Sequence, residues 1–197
     1  RGPAPVCTAP QFPEAARCLE EAARARDAPL YQAEALPATW LPRLGLAGPH
    51  QLTNAGLALT AWRQLAPLLD RQIDDAAQAE GLARAFLPGR LQSVPGTEDY
   101  PPLLLDGAHN PHGMRALLRA LDYLEQSGVR PAGAVFSCLG DKDWRTSALM
   151  LKHRMGAAPL LIPALDNPRA ADVCEVAAAC DSLPLATAVP LTGPRAL

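Results

Sequence analysis

Over residues 13–26 the apolar positions Ala16, Leu19 and Ala23 recur at three- and four-residue spacing, which places them on one face of a helix that ends before Pro29. An extended stretch at 5–8 precedes it, so the chain opens as a βα unit. A loop rich in Pro and Gly covers 36–49. Residues 53–65 then return to helical spacing, with Leu52, Leu59 and Trp62 as buried candidates, and a further helix is predicted over 73–86. Beyond the turn signal Pro88-Gly89 the pattern becomes a repeated alternation of short apolar runs and helical stretches, the mark of a parallel sheet. We therefore place a domain boundary between 86 and 87.

Leu103-Leu104-Leu105 is wholly apolar, as expected of a strand buried on both faces. Asn110-Pro111 opens the next helix, with a capping amide followed by proline at the first helical position, and Gly128 stops it after 126. A strand is predicted over 134–139, a helix over 144–153, a strand over 159–162 and a helix over 168–180 whose start is Asn167-Pro168. A last short strand is placed at 186–189. The fold class is α/β, with a mostly parallel sheet in the later part.

Composition narrows the function classes. With 18 basic and 20 acidic residues in 197 and no long block of either sign, the chain offers no electrostatic footprint for nucleic acid. Cys7, Cys18, Cys138, Cys174 and Cys180 are odd in number and scattered, so they are expected as buried or half-buried thiols rather than a disulfide framework or a metal site. No apolar run approaches the ~20 residues of a spanning helix, and Arg1-Gly2-Pro3-Ala4-Pro5 lacks the core of a secretion signal. A cytoplasmic protein is expected.

Candidate chemistry gathers where strands hand over to helices, because ligands of open α/β sheets bind beyond the carboxyl ends of strands. Asp106-Gly107-Ala108-His109-Asn110-Pro111 occupies such a position. A carboxylate there suits two ribose hydroxyls, although Asp106 and Asn110 equally serve as caps of a plain βα loop.

The longer string decides between them. Leu-Leu-Leu-Asp-Gly-Ala-His-Asn-Pro at 103–111 resembles the signature of the folylpolyglutamate synthase and dihydrofolate synthase family, within the Mur ligase superfamily. Three further segments match in order: Gly48-Pro49-His50-Gln51-Leu52-Thr53-Asn54-Ala55, Leu87-Pro88-Gly89-Arg90-Leu91 and Leu139-Gly140-Asp141-Lys142-Asp143. The resemblance implies a Rossmann-like carboxyl-terminal domain over 87–197, preceded at 1–86 by a remnant of the central ATPase domain. It implies that Asn54 contacts adenine, Arg90 the ATP phosphates and Asp106 the ribose, with His109 beside the nucleotide or satisfied by backbone.

Lys142 is assigned either to a phosphate or incoming glutamate carboxylate, or to a solvated ion pair between its flanking aspartates. Arg169, in Asp166-Asn167-Pro168-Arg169, resembles the residue by which related ligases grip the carboxylate of the added amino acid, while Asn167-Pro168 also reads as a helix start. His112 is expected in the first helical turn. The implied partners are ATP, L-glutamate and a folate or dihydropteroate, acting with a monomeric enzyme.

ATP-driven ligation in that family also uses a Gly-Lys-Ser phosphate loop, Mg2+ ligands and a modified lysine in its amino-terminal domain. The 197 residues contain no GxxxxGK[ST] string, and Lys142 and Lys152 are the only lysines against 16 arginines. Arg1 to Val6 resembles the family segment just after the modified lysine, so the chain is expected to carry one side of an ATP site, with no catalytic residue and no metal ligand of its own, and to be inactive alone. The alternatives are a non-catalytic nucleotide-binding module and a segment of a cell-wall Mur ligase.

Overall fold

The computed structural model describes residues 3–181 and the backbone of 188–191. The chain forms two compact units that divide between Leu105 and Asp106.

In the first unit, β1 (Val6–Thr8) and β2 (Leu30–Gln32) pair in parallel with Val6 opposite Leu30. The crossover between them is α1 (Pro13–Arg24), which starts with proline at its amino end and buries Ala23, with Ala16 and Leu19 half-buried on the same face as predicted. Helix α2 (Gln51–Leu65) buries Gln51, Ala55 and Gly56, while Leu52, Leu59 and Trp62 are only half-buried, contrary to expectation. Close backbone approach explains this. A Cβ added at Gly56 would lie 1.9 Å from the Glu34 carbonyl oxygen, and the Leu36 amide donates to the Leu52 carbonyl at 3.0 Å. The small-residue face thus meets the chain leaving β2, and the larger side chains are turned aside.

Helix α3 (Asp75–Arg84) is capped by Asp74, whose carboxylate accepts from the amides of Ala76 and Ala77 at 2.8 and 3.1 Å. β3 (Gln92–Val94) and β4 (Leu103–Leu105) form an antiparallel pair with Gln92 opposite Leu105. This corrects the expectation of a strand buried on both faces. Leu103, Leu104 and Leu105 are 44%, 39% and 42% exposed, because the ladder of β4 is shared with β3 alone among the described residues and no layer closes over either face.

In the second unit, β5 (Ala134–Val135), β6 (Leu160–Pro163) and β7 (Ala188–Leu191) form a parallel sheet in that order. β7 sits two residues later than predicted, and 186–187 lie outside the described residues. The helices are α4 (Pro111–Gln126), α5 (Trp144–Met155) and α6 (Val173–Asp181). Asn110 caps α4 by accepting from the Gly113 amide at 2.8 Å, Pro111 takes the first helical position, and Gly128 at φ 82° ends the segment. Met114, Phe136, Leu151, Leu160, Ile162 and Val176 anchor the core. Arg154 of α5 ties to α4 through Asp122 at 2.8 Å and Glu125 at 2.6 Å.

Two predictions are corrected here. Helix α6 begins at Val173, not Pro168: the Asn167 side chain accepts from the Arg169 amide at 2.9 Å, and Leu139 bridges Ala170, which pulls 167–171 out of helical geometry. Asp172 then caps the helix through the amides of Cys174 and Glu175, both at 2.9 Å. Among the thiols, Cys138 and Cys180 are buried and Cys7 is half-buried, but Cys18 and Cys174 are exposed, lying on the outer faces of α1 and α6.

Candidate functional site

The opening of α2 and the loop around Arg90 meet within the first unit. Gly48 takes φ 103°, a conformation natural to glycine, and a Cβ there would lie 2.6 Å from Cδ1 of Leu91. Leu91 is itself buried, at 4% exposure, with φ 47°. A leucine in the left-handed region is strained, and burial of its side chain against Gly48 holds it there. Gly89 precedes at φ 67° with its amide donating to the Gln92 side chain at 3.0 Å. Arg90 stands exposed between these two anchors. The segments that carry Asn54 and Arg90 are therefore seated against each other.

Asn54 is exposed one turn into α2. Its Nδ2 donates to Oε1 of Gln51 at 2.9 Å, and Gln51 Nε2 lies 3.1 Å from Nε2 of His50. Sequence reading missed Gln51. Its signal was the i, i+4 spacing with Ala55, which puts a polar residue on the buried face of the helix.

In the second unit, Asp106 is half-buried and its Oδ1 accepts from the Ala108 amide at 2.9 Å, closing a turn through Gly107. His109 is exposed, and its Nδ1 donates to the Gly107 carbonyl at 2.8 Å, since a carbonyl can only accept. In the neutral ring this leaves Nε2 as an outward acceptor. The backbone-satisfied reading of His109 thus holds for one nitrogen. The buried Cys138 thiol, 3.7 Å from the His109 carbonyl, pins this loop from behind, and burial pushes its pKa up. His112 lies in the first turn of α4, as expected.

Lys142 and Arg169 are brought to one junction. The Gly140 amide donates to the Arg169 carbonyl at 2.7 Å and the Ala171 amide to the Cys138 carbonyl at 2.9 Å. The Arg169 guanidinium pairs with Asp141, which holds that carboxyl below the usual carboxylate range. Asp143 is used as the cap of α5, accepting from the Thr146 amide at 3.1 Å. Asp141 pairs with Arg169 and Asp143 caps α5, while the charge of the exposed Lys142 is a further influence lowering the Asp141 carboxyl. Arg169 is corrected from a helix start to the turn that precedes α6. Among the described residues no cluster of three His, Cys, Asp or Glu side chains could hold a metal ion, and no helix is long and apolar enough to cross a membrane.

The parallel strands β5 and β6 hand over to α5 and α6 through loops bearing Asp141, Lys142 and Arg169, an α/β arrangement of the Rossmann-like kind. Residues 89–192 match the family described as Mur ligase, glutamate ligase domain, and the chain belongs to that family. It is 31% identical over 188 residues to the dihydrofolate synthase/folylpolyglutamate synthase of Bacillus subtilis (strain 168), a match covering 84% of this chain and 42% of that protein. A folylpolyglutamate synthase of Arabidopsis thaliana is 38% identical over 129 residues, 57% of this chain and 23% of the relative. Among solved structures, folylpolyglutamate synthase of Mycobacterium tuberculosis complexed with ADP and AMPPCP superposes with a TM-score of 0.71 at 24% identity, covering 93% of this chain and 46% of that one. The chain spans less than half the length of these relatives.

Proposed function

We propose that this chain supplies one side of the ATP site in a ligase that joins L-glutamate to the carboxylate of a folate or dihydropteroate through an acyl phosphate. Asn54 meets the adenine, Arg90 forks onto phosphate oxygens, and Asp106 accepts from the ribose hydroxyls. His109 offers Nε2 to the same nucleotide. Lys142 and Arg169 receive the carboxylate of the incoming glutamate. Residues 1–86 belong to the end of the central ATPase domain and 87–197 to the glutamate ligase domain, and the protein works as a cytoplasmic monomer. Mg2+ accompanies the nucleotide; the described residues do not form a site for it, and its ligands are assigned to the family's amino-terminal domain.

The observation that carries this reading is the seating of Leu91 on Gly48, which fixes the Arg90 loop at the opening of the helix that bears Asn54. Calorimetric titration with ATP tests it. Arg90→Ala and Asp106→Ala are each expected to weaken binding by about tenfold or more, the worth of one charge-assisted contact of ~1.5–3 kcal/mol. Equal affinity in wild type and both variants would leave these residues without a nucleotide role.

A further inference from the structure

We infer that Asp141 is an internal competitor for the Arg169 guanidinium, holding it until a ligand carboxylate takes its place; the inference rests on Arg169 receiving the carboxylate of the incoming amino acid. The guanidinium donates from Nη2 to Oδ2 of Asp141, and among the described residues that is the one hydrogen bond the two side chains share. A guanidinium offers paired donors along one edge, a fork that a carboxylate fills best with both oxygens at once. Asp141 fills it with one. A ligand carboxylate free to align both oxygens is the better partner, so the exchange runs in its favour.

The surroundings assign the pair to competition and not to holding Arg169 in place. The backbone of Arg169 is fixed without it: its carbonyl accepts from the Gly140 amide at 2.7 Å and its amide donates to Oδ1 of Asn167 at 2.9 Å. The bridge of Leu139 with Ala170 and the bond from the Ala171 amide to the Cys138 carbonyl hold the turn whether or not the side chains meet. The side chains themselves are 62% and 49% exposed, so water screens their attraction and rehydrates a departing carboxylate. Asp143 and Asp172 face backbone amides as helix caps, which leaves Asp141 as the carboxylate set on the guanidinium. Arg169 in turn holds the Asp141 carboxyl below its usual range, so the competitor is an anion at neutral pH.

Neutralising Asp141 should therefore strengthen carboxylate binding. NMR titration of the full 197-residue chain with L-glutamate at constant ionic strength, following the Arg169 Nε–H and the backbone amide of Gly140, tests this. Asp141→Asn is expected to tighten binding by about three- to fivefold, the upper part of the range open to an exposed ion pair. Asp143→Asn removes the same charge two residues along and keeps the cap of α5, because asparagine caps as well as aspartate. It is expected to change the affinity by less than about twofold, since screened charge alone acts there. Arg169→Ala is expected to abolish the glutamate-dependent shift at Gly140.

Binding weakened or unchanged in Asp141→Asn, while Arg169→Ala loses it, overturns the competition and leaves the carboxylate grip of Arg169 standing. Equal tightening in Asp141→Asn and Asp143→Asn overturns it as well, in favour of net charge alone. Before glutamate is added, the Arg169 Nε signal of Asp141→Asn is expected to lie closer to that of a solvated arginine than the wild-type signal does; coincident signals overturn the pair itself. Glutamate binding that survives intact in Arg169→Ala, or its absence from wild type, removes the role of Arg169 on which the inference rests.

Discussion

Replacing Lys152 by methionine is expected to stabilise the second unit. Lys152 lies on α5 with no exposed surface, among Ser147, Ala148, Leu151 and Met155 on the buried side of the helix, and its Nζ has no hydrogen-bond partner among the described residues. In either protonation state its N–H donors lack acceptors. A buried donor left unsatisfied is worth ~1–3 kcal/mol of destabilisation, more if charged. Methionine nearly matches lysine in length and reach, and a volume-conserving swap in a packed core loses less than ~1.5 kcal/mol. The balance favours the variant by about 1–2 kcal/mol. Urea denaturation followed by circular dichroism measures it: the midpoint is expected to rise with the slope unchanged. A midpoint lowered by the equivalent of about 1 kcal/mol or more would mean that Nζ has an acceptor in solution, and the reasoning would fail. Burial raises the pKa of the neighbouring Cys180 thiol against an opposing pull from Lys152. Loss of that pull should leave Cys180 slower to react with a thiol reagent in the variant.

The remaining predictions concern one backbone contact and one carboxylate. Gly56→Ala would drive a Cβ to 1.9 Å from a carbonyl oxygen of the backbone, not from a side chain that can rotate away. It is expected to lower the urea midpoint by the equivalent of about 2–3 kcal/mol, and a change under about 0.5 kcal/mol would contradict the close approach of α2. Glu125 is held below the ordinary carboxylate range, first by its hydrogen bond from Arg130 and also by the charges of Arg130 and Arg154, against an opposing effect of burial. Because the folded value is depressed, the stabilisation is present above the ordinary glutamate pKa and is lost as pH falls through the lowered one. The melting temperature of wild type should therefore drop more steeply than that of Glu125→Gln below about pH 4.5; parallel profiles would show that the carboxylate carries no net linkage.

Local chemistry was readable where a segment needs only its own residues. Asn110, Pro111 and Gly128 specify both ends of α4 without help from the rest of the fold. Asn167-Pro168 carries the same two residue types and misleads. A bridge from Leu139 to Ala170 and an amide bond from Ala171 to Cys138 claim that stretch for pairing with another loop, and Asp172 takes the capping role instead. The leucine run at 103–105 shows the same limit, since three apolar residues state a preference for burial but not whether any layer is there to cover them.

Among the candidate site residues, the types were legible from motif spacing and their partners were not. The pairing of Arg169 with Asp141, 28 residues upstream, depends on backbone geometry that residue spacing alone does not encode. The Asp74 cap of α3, formed within one turn, belongs to the readable kind.

The proposed function assigns Asn54, Arg90 and Asp106 to one purine nucleotide. A heteronuclear NMR titration of the 197-residue chain with ATP tests it most directly, following the Asn54 side-chain amide, the Arg90 Nε–H and the backbone amide of Gly107 beside Asp106. All three signals are predicted to shift along one binding curve with one dissociation constant. Shifts at Asn54 and Arg90 with Gly107 unmoved, or three signals that saturate at unrelated ATP concentrations, would contradict it.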